Sequence, residues 1–318
     1  MKNNNQYGWL IVNHFLQTGK FNEIYDWLLA AANKVGCRLD KKTNAEVLAC
    51  ISDGTLLGLT ASKDRPDFIL FWDKDVRLAK TLEGLGFRLF NRADAIAACD
   101  DKSLTFSKLA MFKDTYPIPM PKTVLAPMTY ANIGYHGDLA FLDLIEEQLS
   151  YPMVIKECFG SFGAQVYLAQ NRTEVETITE QCAGKPLIFQ EFIQSSFGRD
   201  LRLEVVGGKV VATMLRTHDS DFRANITNGG KMSPYTPSQE ARTLAINVCK
   251  ALNLDFAGVD LLFGPNDEPI LCEVNSNAHF KNIYTCTGVN AADKIMEHIM
   301  VRKGISHEKN RLDRIRRS

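Results

Sequence analysis

The chain has 318 residues, of which 45% are apolar and 23% are charged, and its 37 basic and 37 acidic residues give a formal net charge of zero. This composition is ordinary for a globular protein with two or three packed subdomains, and the balanced charge offers no overall field to attract nucleic acid or an anionic membrane. No run approaches the roughly 18 apolar residues that span a bilayer.

The eight cysteines are scattered and form no Cys-x-x-Cys pair. This spacing argues against a structural zinc site and against a disulfide scaffold. The first residues, 1–5, lead into a short strand-like run and not into the apolar core of a signal peptide. We therefore expect a cytoplasmic protein.

Strand and helix patterns alternate through the first hundred residues. The predicted elements are strands over residues 9–15, 67–72 and 87–90, and helices over residues 21–35 and 76–85. Glycine follows each predicted helix and can end it. The pattern predicts a small Rossmann-like βα unit over residues 1–98. Because it contains no Gly-x-Gly-x-x-Gly, we do not expect it to bind a dinucleotide.

The remainder continues in alternating α and β elements, which favours mixed α/β layers. After a predicted loop over residues 128–137, the predicted elements are helices over residues 138–149 and 238–252 and strands over residues 151–156, 166–168, 187–193, 200–206 and 210–215. Asp138 is expected to cap its helix, and two glycines to turn the last two strands into a hairpin. Residues 303–318 carry six Lys or Arg and predict a solvated basic tail, with a phosphate-contacting arm as the alternative.

Two apolar runs near the C-terminus, residues 258–262 and 271–275, flank a cluster of turn-forming residues at 264–269. This arrangement predicts an antiparallel hairpin. We expect Gly264 to face Pro269, which sets the register of the whole pair.

In that register Asp260 lies directly opposite Glu273, with Cβ atoms about 5 Å apart. Asn275 shares a face with Glu273, because side chains alternate along a strand. Opposed like charges destabilise a strand pair unless a cation lies between them, and carboxylate and amide oxygens are suitable ligands for Mg²⁺. The hairpin therefore predicts a magnesium site; the alternative is a surface hairpin with solvated acids.

A second chemical element is a strand that ends at Lys156 and continues into a loop containing Gly160, Ser161 and Gly163. Glycines let the backbone approach a polyphosphate and direct N–H groups toward it, and the lysine adds a positive charge. The loop is not a Walker A motif, because no Gly-Lys-Ser/Thr follows. It predicts a phosphate contact or, alternatively, a simple turn.

Two further segments carry weaker signals. Residues 189–193 form a strand with an irregular end that can offer backbone groups to an adenine edge, or can be an edge strand with Glu191 in solvent. The polar residues 217–232 follow Arg216 and contain Arg223. Cationic mobile loops clamp the charge that develops in phosphoryl chemistry, although an ordinary exposed loop has the same composition.

In this order, these elements resemble the ATP-grasp superfamily and its RimK-type amino-acid ligases, and are most similar to ligases acting on a lysine-biosynthesis carrier protein. The elements are residues 154–156 with the glycines at 160 and 163, residues 190–193, 200–202, 221–225 with the glycines at 229 and 230, 257–260 and 273–275. The resemblance implies an ATP-grasp fold in which two α+β subdomains, residues 99–186 and 187–302, grip ATP. The Rossmann-like domain precedes them.

The resemblance also implies roles for individual residues. The implied nucleotide contacts are Lys102, Lys156, Gly160, Ser161, Gly163, Gln190, Glu191, Phe192, Ile193, Asp200 and Asn225, with Asp200 near the ribose. Two Mg²⁺ ions, with Mn²⁺ as an alternative, would be held by Asp260, Glu273 and Asn275. The implied catalytic residues are Arg223, which contacts phosphate, and Arg216, which stabilises the acyl intermediate.

The implied reaction forms an amide: a carboxylate attacks the γ-phosphate of ATP, and an amine then displaces phosphate from the acylphosphate. The expected partners are glutamate or a related amino acid and a carboxylate on a peptide, carrier protein or small molecule. Residues 275–279 depart from the Asn-x-Ser-Pro-Gly pattern of ligases that modify a ribosomal protein, which argues against that substrate. His279 is either a contact to an acidic substrate or a structural residue. A homodimer or homotetramer is open, and the alternative functions are an ATP-grasp kinase and a non-catalytic nucleotide-binding module.

Overall fold

The computed structural model of the chain describes residues 6–62, 64–160 and 163–302. Two predictions, the basic tail over residues 303–318 and the contact made by Ser161, lie outside the described residues. Among the residues described, no helix combines the length and apolar character needed to cross a bilayer.

The N-terminal part is a parallel sheet with helices packed on it. Its elements are β1 (Tyr7–Val12), α1 (Gly19–Lys34), β2 (Arg38–Thr43), β3 (Val47–Ser52), β4 (Thr55–Thr60), β5 (Phe68–Phe71), α2 (Val76–Gly84) and β6 (Leu89–Phe90). The parallel strands run in the order β2-β1-β5-β6, and β3 pairs with β4 as a separate hairpin. The predicted strands and helices are present with shifted ends. The predicted strand over residues 9–15 ends at Val12, and β2, β3 and β4 were missed, because β2 is polar and the hairpin is largely exposed.

Two consecutive helices that were not predicted follow the parallel sheet, α3 (Ala93–Asp100) and α4 (Lys102–Ala110). The side chain of Asp101 caps α4 by accepting hydrogen bonds from the backbone N–H groups of Ser103 (2.8 Å) and Leu104 (3.3 Å). Such a cap satisfies N–H groups that have no partner within the helix. Lys102 is therefore held at the first turn of α4.

The central sheet is antiparallel, with the strand order β7-β10-β8-β9. Its elements are β7 (Thr123–Leu125), α5 (Phe141–Glu146), β8 (Met153–Glu157), β9 (Val166–Ala169), α6 (Arg172–Gln181) and β10 (Leu187–Glu191). The subdomain boundary expected between residues 186 and 187 lies before β10. Because β10 pairs with both β7 and β8, the central sheet extends to Glu191.

The prediction that Asp138 caps a helix was wrong. The helix α5 begins three residues later, after Ala140 at the N-cap position. The Asp138 carboxylate instead accepts a hydrogen bond from the Ala140 N–H at 3.4 Å, which closes a turn before the helix. Short Asp-centred turns of this kind compete with helix caps.

The C-terminal sheet is antiparallel and has the strand order β13-β12-β11-β14-β15. Its elements are β11 (Arg199–Val206), β12 (Lys209–Thr217), β13 (Lys231–Pro234), α7 (Gln239–Ala251), β14 (Phe256–Phe263), β15 (Pro269–Asn275) and α8 (Lys281–Thr287), followed by helical residues 291–302. The predicted hairpin between β11 and β12 and the predicted helix α7 are present. Ser238 caps α7 by accepting from the Ala241 N–H at 3.1 Å.

The β14–β15 hairpin pairs Asp260 with Glu273, as predicted. The predicted turn register was wrong by one residue, since Pro269 lies opposite Phe263 and not Gly264. The predicted pairing holds at Asp260 and is shifted by one residue at the turn because a β-bulge lies between them. The pairing shifts between Asp260 and Leu261, which leaves Cys272 as an extra residue in β15. Bulges re-aim the side chains beside them, so this one helps to set the direction of Glu273.

Besides shared apolar packing, one buried side chain with several hydrogen bonds joins the N-terminal domain to the C-terminal sheet. Asn91 is buried, accepts from the Asp255 N–H at 2.7 Å and donates to the carbonyl oxygens of Phe256 (2.9 Å) and Ser276 (2.8 Å). Because Ser276 directly follows β15, the N-terminal domain anchors the end of the strand that carries Glu273.

Candidate active site

A cleft, here called the main cleft, lies between the central and C-terminal sheets. Thirteen of the predicted site residues line it: Lys102, Lys156, Gly163, Gln190, Glu191, Phe192, Ile193, Asp200, Arg216, Arg223, Asn225, Asp260 and Glu273. Of the other predicted site residues that are described, Gly160 and Asn275 lie outside this lining. Asn275 lines an adjoining cavity, here called the side cavity, which shares Arg216, Asn225 and Glu273 with the main cleft.

Two buried lysines bring positive charge into the main cleft from different elements. Lys156 projects from β8, and Lys102 from the start of α4. The Lys102 ammonium lies 3.6 Å from a Glu273 carboxylate oxygen and 3.4 Å from the carbonyl oxygen of Gly160. Gly160 does not line the main cleft, but its carbonyl oxygen accepts a hydrogen bond from the Lys102 ammonium.

The far end of the main cleft is aromatic. The Phe192 ring makes edge contacts with the rings of Phe197 and Phe222, with centroids 6.4 and 6.1 Å apart. The buried Gln190 amide donates to the Thr123 hydroxyl at 2.8 Å, which joins β10 to β7. This end can accommodate a flat apolar ring beside the half-buried residues 191–193.

The glycine loop and the segment after β12 meet over the main cleft. Arg223 donates to the carbonyl oxygens of Gly163 (3.0 Å) and Val166 (3.3 Å) and pairs with Asp221 at 2.8 Å. Gly163 has a φ of +73°, and a Cβ atom there would lie 2.7 Å from the Asn225 side-chain oxygen. The position therefore requires glycine on both conformational and steric grounds.

A chain of buried ion pairs forms the floor of the main cleft. Arg202 binds both carboxylate oxygens of Asp260, one of them at 2.7 Å. Arg216 lies 3.0 Å from Asp260 and binds both oxygens of Asp200, at 2.6 and 2.9 Å. Burial by itself would raise the pKa of Asp260, but the two guanidinium groups outweigh it and hold that pKa below its ordinary value. Burial raises the pKa of Asp200, and Arg216 opposes that rise.

Arg202 is the functional candidate that sequence reasoning missed. Arg202 lies within residues 200–202, one of the segments that carry the family resemblance, but no function was predicted for it. Its signal was available in the strand pairing, since Arg202 of β11 lies directly across from Asp260 of β14. The expectation of two uncompensated acids on the hairpin was therefore wrong: Arg202 and Arg216 neutralise Asp260, and Lys102 faces Glu273.

The donor set at the hairpin fits a magnesium ion only in combination with a ligand. Within residues 6–62, 64–160 and 163–302, no three His, Cys, Asp or Glu side chains are grouped to hold a metal. The cross-strand pair Asp260 and Glu273, with Asn275 two residues on, provides two carboxylates and an amide oxygen. Mg²⁺ is commonly bound by one or two carboxylates together with substrate phosphates. The residues thus suit a metal that arrives with a phosphate compound.

Glu204 leads to a prediction about the pH dependence of stability. It is buried on β11, and among the described residues no donor reaches its Oε2 atom. Burial raises its pKa to about 7. Because the unfolded chain ionises near the ordinary value of 4.5, stability falls as the pH rises from about 4.5 to about 7.

Glu204→Gln is therefore expected to stabilise the protein by about 1–3 kcal/mol at pH 8 and to have little effect at pH 4.5. Urea unfolding at the two pH values measures the difference. The exposed Glu147→Gln serves as the matched control. Equal effects of Glu204→Gln at both pH values would contradict the assignment.

Comparison with known proteins supplies independent findings. Residues 99–299 match the sequence model of the RimK-like ATP-grasp domain. The uncharacterized MG012 homolog of Mycoplasma pneumoniae is 31% identical over 274 residues, which cover 85% of this chain and 90% of that protein. Human N-acetylaspartylglutamate synthase A is 31% identical over 252 residues, or 79% of this chain and 60% of the synthase. The D-alanine–D-alanine ligase of Bacillus anthracis in complex with ATP shares the fold, with a TM-score of 0.67 and 16% identity over 96% of this chain and 99% of that one.

Proposed function

This chain belongs to the RimK-like ATP-grasp family and is an ATP-dependent carbon–nitrogen ligase; we propose that it joins glutamate or a related amino acid to a carboxylate. One observation carries the proposal: two buried lysines, a carboxylate pair and a buried arginine line the same cleft. Lys102, 3.6 Å from Glu273, lines it together with Lys156 and Asp260. Arg216 lies where the main cleft meets the side cavity.

We assign the aromatic end of the main cleft to the adenine of ATP. The ring cluster around Phe192 offers an apolar surface, and the strand end at Glu191 and Ile193 offers backbone groups. The triphosphate would then extend toward Lys156 and Lys102. Both lysines are point charges suited to phosphate oxygens.

At the phosphate end, Asp260, Glu273 and Asn275 would hold Mg²⁺, as one or two ions with Mn²⁺ as an alternative. The metal would supply charge neutralisation on the β- and γ-phosphates. Arg223 and Asn225 also line the main cleft, and we assign them to phosphate contacts. The two carboxylate oxygens of Asp200 accept from Nε and Nη2 on one edge of the Arg216 guanidinium. We therefore assign Asp200 to holding Arg216 in place, beside the ribose position expected for it.

The proposed reaction has two balanced steps. A carboxylate oxygen of the acceptor attacks the γ-phosphorus, and the bond to the β-phosphate oxygen breaks to release ADP. The amine nitrogen then attacks the acyl carbon, phosphate leaves, and the nitrogen loses a proton. Both steps need positioning and charge stabilisation more than a nucleophilic side chain, and the fixed cations of the main cleft provide both.

The choice of glutamate rests on the name of the human relative, whose product contains it. This chain spans about three-fifths of that synthase, 60% of its length. For the acceptor we propose a carboxylate on a peptide, carrier protein or small molecule. All eight cysteines, each within the described part of the chain, are free thiols, which supports a reducing, cytoplasmic location. Assembly into a homodimer or homotetramer stays a prediction.

The test is phosphate release from Mg-ATP across a panel of amino acids, each with and without peptides ending in glutamate and small dicarboxylates. Mass spectrometry of the products accompanies the assay. We expect phosphate release that depends on an acceptor–amine pair and a product heavier by one amino-acid residue. A phosphorylated product without an amide would favour a kinase and overturn the proposal.

Lys156→Met is expected to weaken ATP binding by about 10–100-fold, because one charge-assisted phosphate contact contributes roughly 1.5–3 kcal/mol. The free energy of unfolding should change much less, since methionine preserves the apolar stem of the side chain. Calorimetric titration with ATP and urea unfolding measure the two quantities. Lys209→Met, at an exposed position on β12, is the control. Unchanged ATP affinity would contradict the assignment of Lys156.

A further inference from the structure

The side cavity lies between the N-terminal parallel sheet and the C-terminal sheet. The N-terminal domain contributes Lys20, Tyr25, Trp72 and Asp73 to its lining. The C-terminal sheet contributes Arg216 and Glu273, which also line the main cleft. A molecule held in the side cavity would therefore border the place assigned above to the phosphates.

Asp73 has the placement of a ligand-binding carboxylate. It follows β5 at the carboxyl edge of the parallel sheet, where ligands bind in open α/β sheets. Its carboxylate is fixed by the Lys74 N–H at 2.7 Å and by the Asn13 amide at 3.2 Å. The residue is only 8% exposed, yet its side chain lines the side cavity.

Among the residues that the structure describes, no cationic side chain forms an ion pair with Asp73. The adjacent Lys74 ammonium binds Asp100 at 2.7 Å, and the ion pairs among the described residues do not include Asp73. Nearby Asp75 and Asp100 add further negative charge. A nearby cation stabilises a buried carboxylate of this kind. After accepting two or three hydrogen bonds, a carboxylate still has a lone pair that can accept one from a ligand.

Resting on the proposed function, we propose that the side cavity binds the amino-acid substrate and that Asp73 holds its ammonium group. Tyr25 and Trp72 wall the site, and Lys20 adds a positive charge suited to the carboxylates of the same molecule. The ligand class is an α-amino acid with an acidic side chain. Asp73 thereby directs the nitrogen toward the acyl group formed beside Arg216 and Glu273.

The proposal predicts discrimination between glutamate and glutarate, which differ only by the ammonium group. Both ligands are titrated calorimetrically into protein saturated with Mg²⁺ and a non-hydrolysable ATP analogue. For the natural chain we expect glutamate to bind more tightly. Asp73→Asn keeps the shape and an acceptor for the Lys74 N–H, and should weaken glutamate binding about 10–100-fold while changing glutarate binding less than about threefold.

Asp26→Asn, at an exposed position on α1 outside the lining of the side cavity, is the matched control. It should change neither affinity, and the affinity for the ATP analogue should be constant throughout. Equal loss of glutamate and glutarate in Asp73→Asn, or no loss of glutamate, would overturn the proposal while the ligase assignment stands. If the natural chain forms no amide with any pair in the panel, the proposed function fails and this inference fails with it.

Discussion

Glu273→Ala is expected to lower ATP-dependent amide formation by about a thousandfold or more, roughly 4 kcal/mol of barrier. Glu273 is the one carboxylate of the Asp260–Glu273 pair that no arginine occupies among the described residues, and its side chain is 29% exposed toward the cleft. Its loss removes both a proposed ligand of Mg²⁺ and the partner of Lys102. ADP release and amide formation under saturating Mg-ATP measure the effect.

The fold should tolerate this change. Because Asp260 is neutralised by two arginines and the Lys102–Glu273 pair is part-exposed at 3.6 Å, the free energy of unfolding should change by less than about 1 kcal/mol. We do not expect the gain in stability that two uncompensated carboxylates would have implied. Glu268→Ala, in the exposed turn of the same hairpin, is the control. Wild-type activity of Glu273→Ala would refute the metal assignment.

Arg216→Met is expected to remove activity and also to destabilise the protein, by about 3–5 kcal/mol. Arg216 is 5% exposed and binds the two buried carboxylates of Asp200 and Asp260. Without its charge, their pKa values should rise. The loss of stability should therefore be larger at pH 8 than at pH 5, where protonation relieves it. Urea unfolding at both pH values, with phosphate release as the activity assay, measures the change.

Two further variants separate the roles of Arg216. Arg216→Lys retains the charge but not the two-pronged geometry, so it should recover part of the stability and little of the activity. Arg216→Met leaves the carboxylates of Asp200 and Asp260 without their shared arginine. Adding Asp200→Asn removes one of these two charges and should restore part of the stability without restoring activity. If the double variant is as unstable as the sum of its parts, the proposed ion-pair chain does not carry the stability.

Most of the main cleft could be predicted from the sequence because its residues lie in short, ordered motifs. The hairpin is an example: two apolar runs and a turn between them were enough to place Asp260 opposite Glu273. The bulge at Cys272 was missed, because a one-residue insertion in a strand leaves no clear trace in the pattern of apolar residues. Glycine at position 163 was predicted for phosphate contact, while its steric need comes from Asn225, a residue 62 positions away in the chain.

The elements missed in the fold share a physical reason. The edge strand β2 reads as polar, and the hairpin of β3 and β4 packs little apolar surface, so neither shows the alternation that marks a half-buried strand. The helix α6 is rich in the β-branched residues threonine, valine and isoleucine, whose helix propensity is low. In each case packing on neighbouring elements decides the structure.

The amino-acid sequence alone determined the family, the α/β class, the order of the ATP-grasp elements and the carboxylate pair, because these depend on local periodicity and on motifs of a few residues. Tertiary structure alone decided that Arg202 and Arg216 neutralise Asp260, and that Asp73 of the N-terminal domain lines a cavity with Glu273, 200 positions later. Such charges interact strongly only when packing removes them together from water. That proximity arises from the packing of one domain on another and leaves no local pattern in the chain.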